Sequence, residues 1–122
     1  MYIWEHYGPF GLLFALLIGH ALADFPLQQE FIAQAKNPKY WKSIKDAKGV
    51  EWIVVLGSHS LIHGGAVWIL TGSLWLGVVE TILHFLIDML RNQERTSFLT
   101  DQLLHIGCKL AYMGIAAFGL LS

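Results

Sequence analysis

Long apolar stretches separated by short polar connections dominate the chain. Four of them run over about 8–25, 52–71, 74–90 and 98–121. Each approaches the roughly 17 to 25 residues that a helix needs to cross the hydrocarbon core of a bilayer. The pattern therefore predicts an all-α integral membrane protein, with one domain over 1–122 that forms a four-transmembrane-helix bundle.

The connection over 26–49 is longer and more charged than the other two. Asn37 can cap a helix that has Pro38 at its first position and Gly49 just beyond its end. Aromatic and aliphatic residues would share one face of this helix, and lysines the other. This arrangement predicts a short interfacial amphipathic helix on anionic lipid, with a solvated basic linker as an equally good interpretation.

Composition and charge agree with a membrane chain. Of the 122 residues, 55% are hydrophobic and 14% are charged, whereas about a quarter of the residues in soluble domains are charged. The net charge of -1 excludes an electrostatic nucleic-acid partner. The first and last connections carry the basic residues, so the positive-inside rule predicts that both face the cytoplasm of a bacterium and that both termini face outside the inner membrane.

Each apolar segment carries two side chains that can bind a metal, four residues apart. Residues at this spacing share one face of a helix. In chain order the pairs are His20 and Asp24, His59 and His63, His84 and Asp88, and Asp101 and His105. The predicted topology places all four pairs at similar depth, and the paired residue numbers in each hairpin have a constant sum, as antiparallel neighbours require.

A single histidine inside a membrane more often hydrogen-bonds a neighbouring helix than binds a metal. Eight such residues in register make metal binding the better interpretation. Three ionised aspartates and five neutral histidines cannot satisfy one another by hydrogen bonds alone at low dielectric. Two divalent ions would bring the charge of the carboxylates from -3 to +1, so we expect two ions. Imidazole and carboxylate ligands without thiolate favour zinc, with iron or manganese as alternatives.

Further polar residues extend the same helix faces. Glu80 and Lys109 share the constant sum of the second hairpin, which predicts a buried structural ion pair. Gln28 and Asn92 follow Asp24 and Asp88 by four residues. They are candidates for orienting a ligand carboxylate or a substrate headgroup, although ordinary interfacial amides are the commoner use of such residues.

Two segments of the chain are similar to each other. GHALADF and LHFLIDM each contain His, three residues and Asp, and each precedes a basic connection and a helix with another metal-capable pair. This similarity indicates two pseudo-repeated helical hairpins related by an axis along the membrane normal.

The segments GHALADFPLQ, LGSHSLIHG, LHFLIDML and LTDQLLHIG resemble a family of small bacterial and phage membrane proteins of unknown function, over nearly the whole chain. More loosely, the histidine-rich helices are similar to the membrane-bound metal-dependent hydrolases. In those proteins intramembrane His and Asp residues are taken as metal ligands. The resemblance implies the same role here for His59, His63, His84 and Asp88. The resemblance implies metal binding more than a type of reaction.

The leading hypothesis is a membrane-embedded hydrolase with a dinuclear metal centre, acting on a lipid or lipid-linked phosphoester at the cytoplasmic leaflet. Asp24 or Asp101 would serve as the catalytic general base. The alternatives are a divalent metal-ion transporter, an oxidative di-iron enzyme, and a structural or interaction protein whose metal staples the helices. The expected partners are membrane lipid and a lipid substrate, and the sequence is compatible with an oligomer.

Overall fold

The computed structural model of the protein describes residues 2–119. This part of the chain contains six helices and no strand, which confirms the all-helical prediction. The helices are α1 (Ile3–Asp24), α2 (Glu30–Ala35), α3 (Pro38–Trp41), α4 (Glu51–Thr71), α5 (Leu74–Asn92) and α6 (Phe98–Ala117). The predicted end of the last segment at 121 lies outside the described residues.

Helix α1 begins earlier than the sequence pattern predicts and is interrupted near its start. Gly8 has a φ of 73°, which is non-helical, and Pro9 follows it. A positive φ is readily adopted by glycine, and proline is tolerated in the first turn of a helix. The predicted segment over 8–25 therefore begins at this break, and a short helical turn precedes it.

The connection over 26–49 differs from the prediction. It contains two short helices, α2 and α3, and the predicted helix extending almost to Gly49 is wrong. The Asn37 side chain does cap α3, because it accepts a hydrogen bond from the backbone N–H of Lys39 at 3.0 Å. Trp41 Nε1 donates to the carbonyl oxygen of Ala35 at 2.7 Å, and this bond folds α3 back on α2 where the helix ends.

The four long helices form a ring. Helix α1 packs against α4 and α6, and α5 packs against α4 and α6. Helices α4 and α5 approach each other closely at Gly64 and Gly77. A Cβ atom at Gly64 would lie 2.6 Å from the carbonyl oxygen of Gly77 and 1.8 Å from Thr81 Oγ1. Only a residue without a side chain fits there, so this pair of glycines sets the spacing of the two helices.

The interior of the ring is divided into an apolar half and a polar half. Within the described residues, 14 polar or charged side chains are buried against nine hydrophobic ones. The apolar half contains Leu12, Leu16, Val67, Leu76, Tyr112 and Ala116. The polar half lies toward the end of α1, where the connection that contains α2 and α3 begins. The candidate site lies in this half.

Two of the helices, α1 and α4, are long and apolar enough to cross a membrane. The predicted spans over 74–90 and 98–121 correspond to α5 and α6. These helices do not meet the same criterion and carry charged side chains within their length, Glu80, Asp88 and Lys109 among them.

Candidate metal centre

Asp24, the last residue of α1, is surrounded by imidazoles from α4 and α5. Its Oδ1 lies 2.9 Å from His63 Nε2, 3.2 Å from His59 Nε2 and 3.8 Å from His84 Nε2. The four side chains are buried, and one potential ligand atom from each lies within 4.8 Å of the others. We call these four residues the first donor group.

Asp88, Asp101 and His105 form a second donor group of the same kind beside the first. His105 Nε2 lies 3.0 Å from Asp88 Oδ1 and 3.6 Å from Asp101 Oδ2. The two groups adjoin, because His84 Nε2 lies 3.5 Å from Asp88 Oδ2. Seven of the eight predicted ligands therefore lie in two adjacent buried groups, contributed by all four long helices.

His20, the eighth predicted ligand, lies beside the first donor group and outside it. Its Nε2 is 3.3 Å from Asp24 Oδ2 and 3.1 Å from Gln102 Oε1. Gln102 Nε2 in turn donates to Asp24 Oδ2 at 3.0 Å and to Asp101 Oδ2 at 3.2 Å. A contact of Gln102 with the site was not predicted from the sequence, because this residue adjoins Asp101 and does not follow the four-residue spacing. Its polar character within an apolar segment was the available signal.

The chemistry of these side chains fits a divalent cation. The rings of His63, His84 and His105 are stacked, with centroid distances of 3.6 Å and 4.1 Å between neighbours. Among the described residues, neither ring nitrogen of His84 has a hydrogen-bond partner, although both are buried. A buried nitrogen without a partner is costly. Coordination of a cation by Nε2 would remove part of that cost.

Glu80 and Lys109 lie directly beneath the two groups. Lys109 Nζ donates to Glu80 Oε1 at 2.5 Å, and Tyr112 Oη donates to Glu80 Oε2 at 2.6 Å. Lys109 and Glu80 are both about 1% exposed. The contact joins α5 to α6 where the antiparallel register places the predicted ion pair. The contact of Tyr112 with Glu80 was not predicted from the sequence.

Lys36, just beyond the end of α2, reaches into the centre from the first connection. Its Nζ donates to Asp88 Oδ2 at 2.9 Å, and its side chain is 17% exposed. From the sequence, Lys36 was predicted only as part of a basic connection that faces the cytoplasm. Charge patterning alone gave no signal that one lysine of the five would face inward.

The two candidate amides contact main-chain atoms. Gln28 Nε2 donates to the carbonyl oxygen of Asp24 at 2.9 Å, and Asn92 Nδ2 donates to that of Lys36 at 2.7 Å. Among the described residues, neither side chain hydrogen-bonds a carboxylate. Gln28 thus fixes the main chain of Asp24, and Asn92 fixes that of Lys36, and the side chains of Asp24 and Lys36 belong to the centre or contact it.

A cavity of about 380 Å³ lies over the polar half of the ring. This volume is within the range typical of small-molecule sites. Its walls come from the ends of α1 and α5, the start of α6 and the α2 segment. They include Asp24, Phe25, Gln28, Lys36, Asp88, Arg91, Asn92, Phe98, Asp101 and Gln102. The cavity therefore gives a polar molecule access to the aspartates of both donor groups.

Residues 12–118 match the family described as "Protein of unknown function (DUF3307)", so the chain belongs to this family. The match includes both donor groups and Lys36. No curated protein and no solved structure matches the chain. The resemblance to a family of unknown function is confirmed, and the looser likeness to membrane-bound metal-dependent hydrolases has no support from these comparisons.

Proposed function

We propose that this member of the DUF3307 family is a membrane-embedded, metal-dependent hydrolase that acts on a lipid or lipid-linked phosphoester at the cytoplasmic leaflet. One observation carries the proposal: two buried groups of imidazoles and carboxylates adjoin each other, and their three aspartates line a cavity. Such convergence of buried titratable side chains in a cavity is typical of catalytic sites.

The proposal includes a bilayer around all four long helices. Helices α5 and α6 bury all their charged side chains except Arg91, which lies in the last turn of α5, and they expose apolar ones, such as Trp75, which is 72% exposed, and Leu103, which is 57% exposed. Polar groups inside and apolar groups outside are what lipid requires. The basic connections would then place the cavity on the cytoplasmic side of a bacterial inner membrane, with both termini outside.

The first donor group would hold a divalent cation, for which zinc suits the ligands best and iron or manganese are alternatives. When bound, such a cation polarises a phosphoryl oxygen and makes a coordinated water more acidic. The sequence-based charge count predicts a second ion, for which the second donor group is the candidate position. His20 and Gln102 would hold Asp24 in place through its Oδ2 atom.

Of the two candidate general bases, Asp101 is better placed than Asp24. Both oxygens of Asp24 are contacted, Oδ1 by imidazoles and Oδ2 by Gln102. Asp101 Oδ1 is buried without a hydrogen-bond partner among the described residues, and Asp101 lines the cavity. In our proposal Asp101 Oδ1 accepts the proton of the attacking water, and Asp24 holds the imidazoles.

The walls of the cavity suit a substrate with an anionic group and an apolar attachment. Lys36 and Arg91 are cationic and would attract a phosphate. Phe25 and Phe98 also line the cavity, and they are 57% and 56% exposed. A lipid headgroup could therefore enter the polar interior while its chain stays against these phenyl rings.

Two alternatives predict different behaviour. A transporter needs access from both sides, yet the apolar half of the ring closes the interior beyond Glu80 and Lys109 in the described structure.

A stapling metal is favoured by one observation: the first donor group offers four protein ligands, which is the complete set of a structural zinc site. A bound metal without turnover would support that alternative.

The test uses the full chain in lipid nanodiscs, loaded with zinc. It measures bound metal by elemental analysis and products from a panel of lipid phosphomonoesters and phosphodiesters by mass spectrometry. We expect Asp101→Asn to keep the ion of the first donor group, which does not include Asp101, and to lose about 100-fold or more in turnover. Asp46→Asn, an exposed substitution outside the site, should match the natural chain. Bound metal with no product from any lipid would reject the hydrolase, and zinc uptake by proteoliposomes would favour the transporter.

A further inference from the structure

The bond between Lys36 and Asp88 places a positive charge of the protein itself within the metal centre. We propose that the centre holds one divalent cation, in the first donor group, and that the ammonium of Lys36 is the second cation of the site. The inference rests on the proposed function, because it assumes that the centre binds metal, and it fixes how many ions are bound.

The Lys36 contact belongs to the site and not to the protein surface. Its side chain is 17% exposed and that of Asp88 is 5% exposed. Lys39, three residues later, pairs with Glu94 at 2.6 Å, but these two side chains are 58% and 73% exposed. An exposed pair of that kind contributes little to stability. The two lysines thus provide an internal comparison between a buried cation and a surface cation in one segment.

The backbone around Lys36 is fixed in a way that directs the side chain inward. Asn92 Nδ2 donates to the carbonyl oxygen of Lys36 at 2.7 Å, and the N–H of Lys36 donates to the carbonyl oxygen of Ile32 at 3.1 Å. Asp88 and Asn92 lie four residues apart on α5 and hold the side chain and the main chain of the same residue. Lys36 is therefore fixed at both ends by the helix that carries two of the donors.

Charge counting favours one ion once Lys36 is included. Asp24, Asp88 and Asp101 carry -3 when ionised, and the nearby charges of Glu80 and Lys109 cancel. With neutral imidazoles, one divalent ion and Lys36 bring the centre to zero, whereas two ions and Lys36 bring it to +2. A buried site of low dielectric favours the neutral combination. The expectation of two ions came from a count that did not contain Lys36.

The donors are also distributed unequally. The first donor group supplies four ligand atoms, and the second supplies three. One oxygen of Asp88, in the second group, already accepts the hydrogen bond from Lys36. Glu80 could complete a set with His84 and His105, but both of its oxygens accept hydrogen bonds from Lys109 and Tyr112. The first donor group is therefore the stronger position for an ion, and Lys36 neutralises the second.

The test counts zinc ions per chain in the purified full-length protein after equilibration with zinc chloride and removal of excess metal. We expect one ion in the natural chain and two in Lys36→Met, which removes the ammonium and keeps most of the side-chain length. Lys36→Arg should stay at one ion, because it keeps the charge. Lys39→Met is the matched control and should also stay at one. Lys36→Gln provides the same comparison if the Met variant does not fold.

The outcomes separate this inference from the proposed function. Two ions in the natural chain would overturn the role of Lys36 and leave a metal-dependent hydrolase intact. One ion in the natural chain and one in folded Lys36→Met or Lys36→Gln would also overturn it. No zinc in the natural chain would reject the metal centre itself, and with it both proposals.

Discussion

Glu80 Oε1 lies 3.5 Å from His84 Nδ1, one turn away on α5. The same oxygen accepts a hydrogen bond from Lys109, so one carboxylate oxygen lies between the ammonium of the buried ion pair and a histidine of the first donor group. Glu80 therefore joins α5 to α6, and its carboxylate lies beside the His84 ring without a hydrogen bond to it.

Removing either charge of the buried pair should destabilise the protein strongly. Glu80→Gln or Lys109→Met would each leave one charge uncompensated, which costs about 3 to 5 kcal/mol. The double variant should lose clearly less than the sum of the two. Unfolding of all three variants in the same detergent gives the coupling energy by a double-mutant cycle. Additive losses would show that the two side chains act independently.

Asp24→Asn should weaken zinc binding by about 10-fold to 100-fold, the range typical of losing a hydrogen-bond partner of a metal-binding histidine. The reason is geometric as well as electrostatic, because Asp24 Oδ1 is the common neighbour of His59 and His63. Competition with a zinc chelator measures the affinity. Unchanged affinity in a folded Asp24→Asn variant would remove Asp24 from the first donor group.

The features that sequence could predict are those with a local cause. Apolar stretches of helical length gave the four long helices, and the four-residue spacing placed partners such as His59 and His63 on one face of α4. Antiparallel register then placed His84 against His105, whose ring centroids are 4.1 Å apart. Each of these steps depends on helix geometry alone, which is the same wherever the helix lies.

The features that sequence could not predict depend on contacts between distant segments. Lys36 faces inward because Asn92, 56 residues later, holds its carbonyl oxygen. The predicted helix begins after Asn37 but ends at Trp41, well before Gly49, and the Trp41 side chain bonds back to Ala35. Gln102 on α6 contacts Asp24 on the neighbouring helix α1, 78 residues away. No periodic pattern in the sequence carries that information.

The approach of α4 to α5 gives a prediction on stability with a control in the adjacent residue. Gly64→Ala would place a Cβ atom 2.6 Å from the carbonyl oxygen of Gly77, and the helices would have to separate. We expect a loss of about 1 to 3 kcal/mol, as is typical of overpacking. Gly65→Ala meets nothing within 4 Å and should have the stability of the natural chain or slightly more. Equal melting temperatures for the two variants would contradict the close approach.

Thiol labelling tests whether α6 lies in lipid. In a Cys108→Ala background, Leu103→Cys introduces a thiol at a position that is 57% exposed. Lipid should protect it from a water-soluble maleimide in membrane vesicles, whereas Lys45→Cys in the first connection should react. We expect at least a 10-fold difference in labelling rate, because a maleimide needs water and a thiolate. Similar rates at both positions would exclude a bilayer around α6.

Helix α5 carries Glu80, His84, Asp88 and Asn92 at regular intervals of four residues. Four residues exceed one helical turn, so each successive side chain is rotated by about 40° from the one before, and the row winds about 120° around the axis. The row therefore faces Lys109 at one end and the backbone of Lys36 at the other. One inserted or deleted residue in this helix would shift the phase by about 100° and separate the ion pair from the donor groups. The spacing of α5, as much as its residue types, determines whether the two halves of the interior can act together.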